Sequence, residues 1–219
     1  MTWGAEAAVG AESLIEGYRR FRRSEYPTQK RLFEALAARG QGAQTMVISC
    51  CDSRVDPAQI FSADPGELFV VRNVANLVPP CGDDGDYHGT SAALEFAVTG
   101  LRVRNIVVLG HASCGGVRAC LEGARDPGVG GRFIGPWMSI LAPARDRVLK
   151  EHGGGSDESR QRALELAGIL QSIENLHSFP FVAAALAAGD LRLHGAYFGI
   201  ATGELALLDR ISGEFKTVG

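Results

Sequence analysis

Short apolar runs that alternate with helical patterns are the feature that most restricts how this chain can fold. The runs are rich in β-branched side chains and short for helices, which is typical of buried strands joined through helices into a mainly parallel sheet. The predicted parallel strands are Thr45–Cys50, Leu68–Val71, Asn105–Leu109 and Leu191–Phe198. The helix-like segments between them cover about residues 57–62, 90–100 and 114–122. We therefore expect an α/β fold whose sheet contains four parallel strands.

The carboxyl-terminal part of the sequence predicts more helices and one further strand. Glu204–Asp209 follows Phe198 after a turn at Gly203, so we expect it to form an antiparallel strand at the edge of the sheet. The remaining predicted helices lie at about residues 134–150, 158–176 and 179–188, and Glu151–Asp157 is expected to be a mobile loop. The predicted fold class is a three-layer αβα arrangement with a central, mainly parallel sheet of four parallel strands plus one antiparallel edge strand.

The first forty residues predict a helical arm with little core of its own. Two amphipathic stretches, about 11–23 and about 28–39, are separated by Tyr26-Pro27. Pro27 favours a helix start and Gly40 a helix stop. We therefore expect one domain over residues 1–219, with an N-terminal helical arm at 1–40 and an α/β core at 41–219.

Composition excludes several classes of protein. The chain has 219 residues, 46% of them hydrophobic, which suits one compact core, and its formal net charge of −3 gives no indication of a nucleic-acid partner. No apolar run approaches the roughly 18 residues that span a bilayer, and the amino terminus does not resemble a secretory signal. We expect a soluble, cytoplasmic protein that binds neither nucleic acid nor membranes.

Two clusters of chemically active residues follow predicted strands. Cys50-Cys51-Asp52-Ser53-Arg54 comes after the first strand, and His111-Ala112-Ser113-Cys114-Gly115-Gly116 comes after Asn105–Leu109. In an open α/β sheet, ligands gather outside the carboxyl ends of the strands, so the two clusters can meet. Two thiolates and one imidazole suit Zn²⁺, and three protein ligands leave a fourth position vacant, as in catalytic zinc sites. The ligands are then His111, Cys114 and one of the adjacent cysteines 50 and 51. Taken singly, each of these residues is more often a packed core residue.

These motifs resemble those of the β-class carbonic anhydrases, whose signature is Cys-x-Asp-Ser-Arg followed by His-x-x-Cys-Gly-Gly. The segment Pro65–Val78 resembles a further conserved block, and the similarity runs from about residue 28 to about residue 210. The family spacing implies that Cys50 is the ligand beside His111 and Cys114, with Cys51 at a variable position. The resemblance implies a lyase that holds one Zn²⁺ per subunit and interconverts CO2 and bicarbonate through zinc-bound hydroxide.

The resemblance also implies roles for other residues. Asp52 would accept a hydrogen bond from the reactive water, and Arg54 would keep Asp52 ionised and off the metal, so that Asp52 binds zinc only in a closed state. Gln41, contributed by a partner subunit, would contact the substrate. The remaining substrate-binding residues would be the apolar wall residues Phe69 and Val74, the aromatic Phe96 and the amide of Gly115. His88 is a candidate for moving the proton.

The family further implies an assembly and a subtype. Its members form dimers through N-terminal arms and larger assemblies from paired dimers, so we expect a homodimer or a dimer of dimers. Some bacterial members are inhibited by bicarbonate at a second site made of Trp, Arg and Tyr. Here Arg72 matches the Arg, but Val47 and Phe198 stand at the Trp and Tyr positions, which predicts the plant-like subtype without bicarbonate gating.

Two other functions remain open from the sequence. Relatives of this fold hydrolyse COS or CS2 with nearly the same site, and a non-catalytic module could use zinc to hold an assembly together. A zinc staple should have a fourth protein ligand, for which Asp52 and Cys51 are the nearby candidates. Thiol redox chemistry is disfavoured because the sequence contains no Cys-x-x-Cys motif.

Overall fold

The structure, a computed structural model, describes residues 10–82, 88–123 and 131–219. It divides into two compact units, one ending at Gln41 and the other covering Gly42–Gly219. Each unit is described by itself.

The described part of the first unit is helical from Ala11 to Arg39. The helices are α1 (Ala11–Arg20) and α2 (Tyr26–Arg39), joined by the π-helical turn Phe21–Glu25. The predicted break at Tyr26-Pro27 is therefore wrong. Pro27 lies in the first turn of α2, where a missing N–H costs least, and the wider π-helical turn before it lets the chain remain helical. Gly40, at a φ of 77°, ends α2 as predicted.

The second unit is built on one six-stranded sheet. The strand order is β2-β1-β3-β4-β5-β6; the first four strands are parallel to one another, and β5 pairs antiparallel with both β4 and β6. The strands are β1 (Thr45–Cys50), β2 (Leu68–Asn73), β3 (Asn105–His111), β4 (Arg192–Phe198), β5 (Leu205–Leu208) and β6 (Phe215–Thr217). The four predicted parallel strands and the antiparallel strand β5 are confirmed. However, β5 is not an edge strand, because a further strand that was not predicted, β6, pairs with it and forms that edge of the sheet. Three residues ending in Lys216-Thr217 give too short a pattern for a strand to be predicted.

Helices connect the strands and cover the sheet unequally. They are α3 (Pro57–Ile60), α4 (Gly89–Glu95), α5 (Gly115–Gly123), α6 (Gly131–Met138), α7 (Ala142–Glu151), α8 (Asp157–Leu176) and α9 (Pro180–Ala187). A π-helical turn, Phe96–Leu101, continues α4. The continuous helix predicted at 134–150 is wrong, because the 3-10 turn Ser139–Leu141 separates α6 from α7, and Pro143 stands in the first turn of α7, where it cannot donate an intrahelical bond.

The largest part of the core lies on one face of the sheet. There Ile48 and Ile106 pack against residues of α4, α8 and α9, such as Leu94, Ile169 and Val182. The opposite face carries a smaller cluster, to which α3 contributes the partly buried Ile60. No helix of the described residues combines the length and hydropathy needed to cross a membrane. The segment between α7 and α8 joins two helices as predicted; its mobility stays a prediction.

Candidate metal centre

Two neighbouring strands end at the site. Cys50 is the last residue of β1 and His111 the last of β3, and Cys114 lies just before α5. Their ligand atoms all lie within 4.8 Å of one another, and the two Sγ atoms are 4.0 Å apart. All three residues are buried, whereas Cys51 is exposed. The fold thus brings Cys50, and not its neighbour, to the other two residues.

The ring of His111 is oriented by the next residue in the chain. Nδ1 lies 2.9 Å from the carbonyl oxygen of Ala112, which only accepts hydrogen bonds, so Nδ1 carries the proton. The neutral ring then presents the lone pair of Nε2 to the cluster. Nε2 is buried and has no hydrogen-bond partner among the residues that the structure describes. A metal ion would satisfy this orphaned atom, so the donor set fits zinc.

The two thiols act as a coupled pair. The two sulfurs are in hydrogen-bond contact, which lowers the pKa of Cys50 and raises the pKa of Cys114. Burial lowers the pKa of His111, but the nearby Cys50 sulfur and the Ala112 carbonyl outweigh it and leave this pKa raised. The pair therefore releases its first proton readily and retains its second. A bound divalent cation favours the loss of both protons.

Asp52 and Arg54 form a two-point ion pair beside the cluster. The Arg54 guanidinium donates from Nε to Oδ1 at 2.9 Å and from Nη2 to Oδ2 at 2.6 Å. These bonds hold the pKa of Asp52 well below its usual range and raise the pKa of Arg54. Oδ2 of Asp52 lies 4.0 Å from Nε2 of His111. The carboxylate is therefore ionised and lies beside His111, with both of its oxygens bonded to Arg54.

Arg72 binds the loop that follows β1. Its guanidinium donates to the carbonyl oxygens of Cys50 at 2.9 Å, Asp52 at 2.6 Å and Val55 at 3.1 Å, and to the Asp56 carboxylate at 3.3 Å. Sequence reasoning matched Arg72 only to the gating site of other family members. An arginine inside an otherwise apolar strand was the signal that it has acceptors to satisfy in the fold.

Comparison with known proteins agrees with this geometry. A family model for carbonic anhydrase matches residues 45–205. The carbonic anhydrase of Pseudomonas aeruginosa is 38% identical over 94% of this chain and 90% of its own length. The carbonic anhydrase of Synechococcus elongatus is 34% identical over 92% of this chain and 72% of its own length. Among solved structures, the β-carbonic anhydrase CcaA superposes with a TM-score of 0.86 at 31% identity, covering 94% of this chain and 98% of that one.

The chain belongs to the β-carbonic anhydrase family. Members of this family are enzymes. The β-carbonic anhydrase of Coccomyxa, solved in complex with acetazolamide, superposes with a TM-score of 0.80 at 30% identity, over 91% of this chain and 86% of that one. The Cys50, His111 and Cys114 cluster of this family member is consistent with zinc binding.

Of the five predicted substrate residues in this β-carbonic anhydrase, two lie close to the ligands. Gly115 directly follows Cys114 and begins α5. Val74 lies after β2 and packs so closely on α5 that a Cβ on Gly116 would come within 2.7 Å of its Cγ1. Val74 also lines a largely apolar cavity of about 540 Å³, together with His88 and Trp137, whose indole N–H donates to the Val74 carbonyl at 2.8 Å.

Two of the other predicted substrate residues, Phe69 and Phe96, pack against each other away from the end of β1. Phe69 pairs in register with Met46, four residues before the end of β1, which places it roughly 13 Å from Cys50 along the strands. Its ring centroid lies 5.8 Å from that of the half-exposed Phe96. Gln41 is exposed and ends the first unit.

Sequence reasoning missed a buried polar network behind Cys114. Glu165 of α8 accepts hydrogen bonds from the backbone N–H of Cys114 and from the hydroxyl of Tyr197. Burial and the neighbouring Glu165 raise the pKa of Tyr197. The signal was a carboxylate on the apolar face of a long helix, directly after Leu164, where an unpartnered charge is costly.

Proposed function

We propose that this chain catalyses the reversible hydration of CO2 to bicarbonate and a proton, at one zinc ion per subunit held by Cys50, His111 and Cys114. The observation that carries the proposal is the convergence of two buried sulfurs and the orphaned Nε2 of His111 within 4.8 Å. Membership of the β-carbonic anhydrase family supports the choice of reaction.

The ligand set favours a catalytic site over a structural one. When bound, zinc supplies a Lewis acid that makes water reactive near neutral pH. Within the described residues, three side chains form the group that could hold an ion, and both oxygens of Asp52 are bonded to Arg54. A zinc-stapled assembly module would need a fourth protein ligand. The vacant position therefore favours a reactant.

Asp52 is the residue proposed to orient the attacking water. Its carboxylate is ionised because Arg54 donates to both oxygens, and an ionised carboxylate accepts hydrogen bonds only. A water that donates to Asp52 points its lone pair away from the carboxylate and towards CO2. The Gly115 N–H belongs to the first turn of α5, so it has no intrahelical acceptor and can bind a bicarbonate oxygen. Val74 would offer CO2 an apolar wall.

A role for the remaining substrate residues requires a second copy of the chain. Phe69 lies roughly 13 Å along the strands from Cys50, and Phe96 packs against Phe69, so both residues could line only the pocket of a partner. We therefore propose a homodimer or a dimer of dimers, with Gln41 also supplied across subunits. A chain from the structures of two tetrameric β-carbonic anhydrases of Sordaria macrospora superposes with a TM-score of 0.79 at 28% identity, over 90% of this chain and 95% of that one. A cytoplasmic location stays a prediction.

We also propose that bicarbonate does not gate this enzyme. The guanidinium N–H groups of Arg72 already donate to backbone carbonyl oxygens of its own chain. The side chains of Val47 and Phe198 are apolar and offer no hydrogen-bonding group to a second bicarbonate ion. Hyperbolic dependence of the dehydration rate on bicarbonate would support this subtype. Sigmoidal dependence would contradict it.

The decisive experiment combines metal analysis with stopped-flow CO2 hydration, run beside COS and CS2 turnover assays. The matched variants are Cys50→Ser and Cys51→Ser, since the residues are adjacent and only one side chain is buried with the other ligands. We expect Cys50→Ser to lose zinc and activity, and Cys51→Ser to keep both. Turnover of COS or CS2 without CO2 hydration would assign a hydrolase, and an inactive holoprotein that unfolds without zinc would assign a staple.

A further inference from the structure

A carboxylate buried behind the site holds the backbone of a zinc ligand. Oε1 of Glu165 accepts a hydrogen bond from the N–H of Cys114 at 2.9 Å. Gln161, one turn earlier on α8, donates from Nε2 to the Cys114 carbonyl at 3.2 Å and to the same Oε1 at 3.0 Å. Both polar groups of the Cys114 main chain are therefore bound by side chains of one helix.

The backbone that is held in this way is strained. Ser113, immediately before Cys114, has a φ of 56°, a left-handed conformation that a residue with a Cβ seldom adopts. Such a conformation persists only where surrounding contacts over-determine it. On the side of the reacting groups, Arg54 donates to the Ser113 carbonyl at 3.2 Å. Behind the turn, Glu165 supplies the opposing contact.

The side chain of Glu165 is in turn held by a residue of strand β4. The hydroxyl of Tyr197, in β4, donates to Oε2 at 2.8 Å, and the guanidinium of Arg162 lies 5.1 Å from the centroid of the Tyr197 ring. Glu165 and Tyr197 are both almost fully buried, at 4% and 3% exposure. A buried carboxylate that receives three neutral donors is placed by them with little freedom.

We propose that Glu165 is a positioning residue for the zinc ligand Cys114, with Tyr197 and Gln161 fixing its orientation; the proposal rests on the zinc site proposed above. The carboxylate is suited to this because both its oxygens accept, so that it takes the Cys114 amide, Gln161 and Tyr197 together. An amide has one acceptor atom and must leave at least one of these donors unpaired. The Sγ of Cys114 is then set by the backbone that Glu165 holds.

The test measures the metal directly. Metal-free protein is titrated with zinc against a competing chelator for wild type, Glu165→Gln, Tyr197→Phe and the control Ser172→Ala. Ser172 is buried on the same helix and bonds the backbone of Asn76 and Val78, so its loss reports a general cost of removing a buried hydroxyl. Absorption spectra of the cobalt(II) forms report the coordination geometry, and urea unfolding of the metal-free forms reports stability.

We expect Glu165→Gln to raise the zinc dissociation constant roughly 10- to 100-fold and to shift the cobalt bands. Tyr197→Phe should raise the constant less, about three- to tenfold, and Ser172→Ala should leave it within about twofold of wild type. The proposal would be overturned if Glu165→Gln had the zinc dissociation constant and cobalt spectrum of the wild type. It would also be overturned if Ser172→Ala raised the zinc dissociation constant as much as Glu165→Gln does. Should Glu165→Gln fail to fold, an unchanged constant in Tyr197→Phe overturns it instead. A wild-type protein without zinc affinity would overturn the proposed function first, which is a distinct result.

Discussion

One nitrogen of Arg54 joins the two sequence motifs. Its Nη2 lies 2.6 Å from Oδ2 of Asp52 and 3.2 Å from the carbonyl oxygen of Ser113. The guanidinium thus fixes the carboxylate relative to the turn between His111 and Cys114. Because a planar guanidinium can bond two acceptors at fixed angles and an ammonium cannot, lysine is a poor replacement here.

The Arg54→Lys variant should keep zinc and lose turnover. Asp52 would no longer be held at two points, so kcat should fall by at least about tenfold while the metal content stays unchanged. Stopped-flow hydration and metal analysis measure the two quantities. Arg145→Lys is the control, because the partly buried Arg145 also pairs with an aspartate, through two nitrogens that contact Oδ1 of Asp146. An unchanged kcat in Arg54→Lys would show that the pair is structural.

Asp52→Asn tests the proposed role of the carboxylate. The amide keeps the size of the side chain but cannot accept on both sides, so the attacking water loses its orienting acceptor. We expect a kcat lower by roughly 100-fold or more, with zinc retained, because Asp52 lies outside the ligand set. The exposed Asp146→Asn is the matched control. Loss of zinc from Asp52→Asn would instead make Asp52 a ligand.

Arg72→Met should destabilise the fold through the loop after β1. Three carbonyl oxygens and one carboxylate lose their donor, which should lower the free energy of unfolding by on the order of 3 kcal/mol. Urea unfolding of the metal-free protein measures the change. Arg192→Met, at an exposed strand arginine, is the control and should have little effect. Equal stability of the two variants would mean that the Arg72 bonds contribute little.

The hairpin of β5 and β6 gives a pH-dependent prediction. The Asp209 carboxylate pairs with Lys216 and accepts hydrogen bonds from the N–H groups of Ile211 and Ser212. Together these contacts lower the pKa of Asp209 to about 2. Because this folded value lies below the unfolded value of about 3.9, ionised Asp209 stabilises the fold above about pH 4 and loses that effect as pH falls towards 2. Carboxyl chemical shifts followed by NMR give the pKa, which should rise in Lys216→Met. A wild-type value near 3.9 would refute the prediction.

The strands and the members of the buried cluster were predictable because their signals are local; that the cluster binds zinc stays a prediction. An apolar run rich in β-branched residues, such as Thr45–Cys50, predicts a strand without information from the rest of the chain, and β1 is found at the predicted residues. The spacing of His111 and Cys114 places two ligands on one turn. The third ligand required the inference that strand ends meet at one sheet edge, and the observed neighbours β1 and β3 satisfy it.

Other features of the structure could not be predicted from local residue patterns. The helix through Pro27 depends on an uncommon π-helical turn, which proline statistics do not predict. Glu165 has its partners 32 and 51 residues away in the chain, so no local pattern pairs it with Tyr197 or Cys114. The position of Phe69 follows from the register of two strands, which motif comparison does not measure.

The separation of the two sulfur ligands along the chain has a consequence for how the protein matures. Cys50 and Cys114 are 64 residues apart, and they meet only after β1 and β3 have paired. A disordered polypeptide therefore does not present the three residues together, because bringing Cys50 to His111 and Cys114 would require closing a long, flexible loop. Newly synthesised chains should accordingly acquire their fold before their metal, so zinc scarcity during growth would leave a pool of folded apoprotein that can be loaded later.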